Sequence, residues 1–161
     1  MYTPNEQEKN VLALVAQGNT QMAELIDITG LGGELVNRCI EALDENRLIT
    51  RKGFVGGNFW EFAITEKGLA ALPEMSEVEK ACHELGVWPT DLEYLALFKD
   101  MSGVVASEYV YANIESLEGQ RAALVAVVKL VRRGYMREFG FVRRKIEVTE
   151  SGKALLEKYR A

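Results

Sequence analysis

Cysteine, histidine and proline are scarce in this chain: two cysteines (Cys39 and Cys82), one histidine (His83) and three prolines among 161 residues. Two cysteines cannot staple a secreted scaffold, and no C-x-x-C or H-x-x-x-H spacing is present to hold a metal. Cys39 is expected as a small core hydrophobe and His83 as a surface residue on a linking helix. Long apolar runs are missing too. The longest, Ala122 to Val128, is far short of the roughly 20 residues that span a bilayer. The N-terminal MYTPNEQEKN also lacks the basic-then-apolar pattern of a signal peptide. The expectation is a cytoplasmic chain with no membrane partner.

Catalytic groupings are equally thin. The 24 acids are scattered, with no nucleophile-base-acid set and no paired carboxylates that stand out. Gly30-Leu31-Gly32-Gly33 follows a predicted helix and lacks a Lys-Ser/Thr, so it reads as a turn rather than a phosphate cradle. Neither an enzyme nor a cofactor is expected.

What is present is a globular composition, 48% apolar and 27% charged, and a strong segregation of charge. Residues 1–74 carry six Lys+Arg against eleven Asp+Glu, residues 75–118 two against nine, and residues 119–161 eleven against four. The net charge of −5 therefore hides a basic C-terminal region.

The chain also repeats itself. NVLALVAQ (Asn10 to Gln17) resembles EYLALFKD at an offset of about 84. ITEKGLAAL (Ile64 to Leu72) falls on VTESGKALL (Val148 to Leu156) at an offset of 84, and DENRLITR (Asp44 to Arg51) on VRRGYMRE (Val131 to Glu138) at 87.

Each copy predicts the same series of elements. In the first, Val11, Leu12, Leu14 and Val15 form the stripe of one helix. Thr20 is a candidate cap for a second ending at Gly30, and Gly32-Gly33 turn into a third that runs to about Asn46. Leu48 to Phe54 and Phe59 to Thr65 read as a hairpin around Val55-Gly56-Gly57-Asn58, and Thr65 caps a closing helix. The second copy predicts helices over Thr90 to Met101, Ala106 to Ile114 and Gly119 to Arg133, strands near Tyr135 to Phe139 and Arg144 to Thr149, then a helix from Glu150 to Arg160. Ser76 to Gly86 forms a helical linker. The domains expected are 1–74, a linker over 75–88, and 89–161.

Three helices, a hairpin and an ITEKG or VTESG step into a further helix resemble the winged helix-turn-helix domain of MarR, PadR and ArsR-type regulators. The resemblance spans nearly the whole chain, twice. It implies an α+β, mainly α, fold of two tandem winged helices, with DNA contacted by the third helix and the wing. Tandem winged helices also resemble parts of condensin accessory subunits, membrane-sorting complexes and phenylalanyl-tRNA synthetases, so protein docking is a further implied use.

Placed on a helical wheel, the third helix of copy one has Leu35, Val36, Cys39, Ile40 and Leu43 inward. Glu34, Asn37, Arg38, Glu41, Asp44 and Glu45 are left outside, an acidic face that repels phosphates. In copy two the wheel puts Leu124, Val127, Leu130 and Val131 inward. Arg121, Ala122, Val125, Ala126, Lys129, Arg132 and Arg133 then form an outward basic arc, which the wing extends with Arg137, Arg143, Arg144 and Lys145. The expected DNA-binding set is Arg121, Val125, Lys129, Arg132, Arg133, Arg137, Arg143, Arg144 and Lys145. Aromatic crowding in the first hairpin makes Phe59 and Trp60 the expected protein contact, for a homodimer or another partner. The leading expectation is a regulator that binds double-stranded DNA; the alternative is an adaptor that docks proteins only.

Overall fold

The computed structural model describes residues 2–53, 60–101 and 103–159, with no description of the Trp60 side chain. The chain is α+β and mainly helical. It divides into two compact units, Met1–His83 and Glu84–Ala161.

In the first unit, α1 (Glu6–Ala16) starts with a reciprocal cap: Asn5 Oδ1 accepts from the Glu8 amide at 2.8 Å, and Glu8 Oε1 from the Asn5 amide at 2.9 Å. α2 (Met22–Thr29) stops at Gly30, whose φ of 69° favours glycine. α3 (Gly33–Glu45) buries Val36, Cys39, Ile40 and Leu43, an i, i+3, i+4, i+7 stripe. Leu35, expected inside, is exposed because that stripe turns it away from the core. Strands β1 (Ile49–Gly53) and β2 (Trp60–Ile64) pair antiparallel with Ile49 opposite Ile64, and α4 (Glu66–Ala70) closes the unit. The core gathers Val11, Leu12, Leu25, Ile40, Leu43 and Phe62 from three helices and the hairpin. Thr20 does not cap α2; its hydroxyl donates to Glu61 Oε1 at 2.9 Å, and Gln21 holds the cap position without a side-chain bond.

Helix α5 (Glu77–Leu85) contains the boundary between the units. His83 is half-buried rather than a surface residue, with Nδ1 2.6 Å from the Ala16 carbonyl oxygen, and so ties this helix to the end of α1.

The second unit runs α6 (Pro89–Phe98), β3 (Val104–Val105), α7 (Ala106–Asn113), α8 (Leu117–Arg132), β4 (Met136–Phe139), β5 (Lys145–Val148) and α9 (Glu150–Tyr159). Its strands lie in the order β3-β5-β4, both pairs antiparallel. Strand β3 was not expected, since two residues are too short to show alternation. The first unit has its counterpart in an isolated bridge, Gln21 to Glu61, offset by 84 from the Val105 to Lys145 pair.

The two units share their backbone joints at the offsets seen in the sequence. The Leu48 amide donates to the Leu43 carbonyl at 2.9 Å, as Tyr135 does to Leu130 at 3.0 Å. The Thr65 hydroxyl donates to the Arg47 carbonyl at 2.6 Å and accepts from the Gly68 amide at 3.0 Å. Thr149 does the same with the Gly134 carbonyl at 2.7 Å and the Gly152 amide at 3.1 Å. One hydroxyl thus fastens the turn after the third helix and caps the closing helix.

Arg47 and Gly134 occupy equivalent places, with φ of 62° and 84°. A side chain in this left-handed region is strained, so Arg47→Gly is expected to raise stability by roughly 0.5–1 kcal/mol after the flexibility cost of glycine. Urea denaturation of the two proteins measures it.

Candidate nucleic-acid interface

The expected basic face of α8 is only partly at the surface. Lys129 is 2% exposed, and its Nζ lies 2.7 Å from Asp91 Oδ2, which is itself buried on α6. The same carboxylate oxygen accepts from the Trp88 amide at 2.8 Å, so Asp91 closes the first turn of α6 while neutralising Lys129. Burial pushes the Asp91 carboxyl up from its usual range, against the opposing pull of the Lys129 charge and hydrogen bond and of the Trp88 amide.

Val125 and Ala126 are buried as well. Two of the nine expected contacts, Val125 and Lys129, are therefore inside, because the core register of α8 is Ala123, Ala126, Val127 and Leu130, not the Leu124-based stripe. Arg132 and Arg133 are half-buried, and Arg133 Nε donates to the Gly86 carbonyl at 3.2 Å. Arg121 is exposed on α8, but its exposed neighbours are Leu117, Glu118 and Val128 rather than further bases.

Apart from Arg121, the expected cations that are fully exposed sit on the β4–β5 hairpin. Arg137 is exposed and pairs across the strands with Glu147, with its guanidinium 5.1 Å from the Phe139 ring centroid. Arg143 pairs with Glu108 at the start of α7. Both pairs lie in solvent, where they hold little free energy and can exchange for another anion. Among the described residues, Arg144 and Lys145 make no ion pair and are exposed.

Comparison of the chain with family models, curated proteins and solved structures returns no match.

The outer face of α3 carries exposed Glu34, Asn37, Arg38, Glu41 and Glu45, with Asn37 Nδ2 donating to Glu41 at 3.1 Å. Phe59 lies outside the described residues. Trp60 pairs through its backbone with Gly53, while its side chain is outside the description. Missed by sequence reasoning were the two most exposed apolar residues of the described chain, Phe141 at 108% and Val142 at 98%. The signal was present: two apolar residues between Gly140 and Arg143, at the predicted turn of the second hairpin.

Among the described residues no cluster of His, Cys, Asp and Glu could hold a metal, and no helix is long and apolar enough to cross a membrane.

Proposed function

We propose that the chain is a tandem winged-helix regulator that binds duplex DNA, with the β4–β5 hairpin of the second unit as the main contact. The observation that carries this reading is the exposed run Phe141 to Lys145, which brings three cations and no acid to one hairpin tip, two of the cations making no ion pair among the described residues. Such a tip can lie along a phosphate backbone, with Arg121 of α8 as a second exposed cation. Compared with the sequence-based expectation, the weight shifts from helix to hairpin.

Fluorescence anisotropy on a labelled duplex tests it. Binding should weaken steeply as salt rises, and Arg144→Ala with Lys145→Ala should flatten the plot of log affinity against log salt by roughly 0.9 per phosphate contact removed. Absence of duplex binding at low salt, or an unchanged slope in the double variant, defeats the reading.

Protein docking is the second reading, and it rests on the exposure of Leu117 (61%) and Val128 (52%) on α8 and Tyr111 (62%) on α7. It gains support if removing these side chains leaves DNA binding intact while abolishing capture of a partner.

A further inference from the structure

A fully exposed phenylalanine beside a fully exposed valine is an unusual outcome for a hairpin tip, since two apolar side chains are left in water. The local backbone explains how they are held out. Gly140 has φ of 104°, and a Cβ there would lie 2.5 Å from the Arg143 carbonyl oxygen, so the chain doubles back between Gly140 and Arg143. Phe141 and Val142 form the outside of that bend. Directly after them come Arg143, Arg144 and Lys145, and β5 starts at Lys145, paired with Phe139 of β4. The tip is an apolar point with a cationic collar, mounted on a two-stranded stem.

We propose that Phe141, backed by Val142, is a wedge that enters the minor groove and partly unstacks a base step while Arg144 and Lys145 hold the flanking phosphates. This inference rests on the DNA-binding reading and adds that the duplex is deformed. Groove dimensions suit it: a minor groove about 6 Å wide admits a hairpin turn but not a helix, and its walls are lined with phosphates. An aromatic ring inserted at a step exchanges base–base stacking for base–ring stacking, an exchange open to any sequence and easiest at flexible pyrimidine–purine steps. An anionic lipid surface offers the same charge complement. It fits less well, because two side chains on a narrow tip bury little apolar area, whereas interfacial binding uses the whole apolar face of an amphipathic element.

The test uses the full chain and a duplex with 2-aminopurine at a central TA step, whose fluorescence rises when the base unstacks. Wild-type protein should raise the signal. Phe141→Ala should abolish the rise and weaken binding about tenfold, with an unchanged salt slope because no phosphate contact is lost; Phe141→Leu should restore part of both. Phe141 is exposed, so circular dichroism should be identical for all three. If the wild type binds duplex and Phe141→Ala gives the same signal and affinity, the wedge is wrong while the DNA reading stands. If the wild type binds no duplex but sediments with phosphatidylserine vesicles in a Phe141-dependent way, both are wrong.

Discussion

Asp91→Asn should be among the most damaging single substitutions in the second unit, lowering its stability by about 3–5 kcal/mol, because it removes the carboxylate charge held 2.7 Å from the buried Lys129 ammonium. The geometry is unforgiving: Lys129 and Asp91 are 2% and 3% exposed, and one carboxylate oxygen serves both Nζ and the Trp88 amide. Asparagine is nearly isosteric, so packing is preserved and the loss isolates the charge. Lys129→Met combined with Asp91→Asn should recover much of the deficit, since the buried ammonium is gone and a methionine fills the same space. Thermal or urea unfolding of the single and double variants decides it. A double variant as unstable as Asp91→Asn alone would mean that the carboxylate acts only as a cap for α6.

Gly152→Ala should be similarly harmful for a different reason. A Cβ at this position would lie 2.2 Å from the Tyr135 carbonyl oxygen and 2.7 Å from Val148 Cγ1, and the first of these atoms belongs to the chain entering β4. Backbone must move to make room, so a loss at the upper end of the roughly 1–3 kcal/mol range for overpacking is expected. Gly68→Ala provides the matched experiment in the first unit, with its Cβ 2.2 Å from the Leu48 carbonyl oxygen. Comparable losses from the two alanines are expected in urea titrations; a neutral effect of either would show that its joint can open at little cost.

These joints were legible in the sequence because they depend on local residue types at fixed spacing. A threonine that caps and a glycine that lets two backbones touch leave a recognisable mark, ITEKG and VTESG, whatever surrounds them. The stripe of α3 was legible for the same reason, at Val36, Cys39, Ile40 and Leu43. Lys129 was not. Its partner Asp91 belongs to a different helix, and nothing local marks a lysine as buried. The wheel for α8 followed side-chain bulk and so placed Leu124 and Val131 inside, whereas the helix packs through Ala123 and Ala126. Carrying the 87-residue offset of Leu43 and Leu130 across the whole helix would have mapped the α3 stripe onto Ala123, Ala126, Val127 and Leu130 and corrected the register. The apolar tip at Phe141 lies in the bend between two strands, where neither helical nor strand periodicity marks a residue as inside or outside.

The fasteners that both units share at the step from the third helix through the hairpin to the closing helix are backbone carbonyls, a threonine hydroxyl and a glycine in each, none of which carries a charge. The repeated part of the scaffold is electrically neutral at these fasteners. Its outer faces can drift in sign without loosening the chain, and one architecture can present carboxylates along α3 in one half and guanidinium groups along a hairpin in the other.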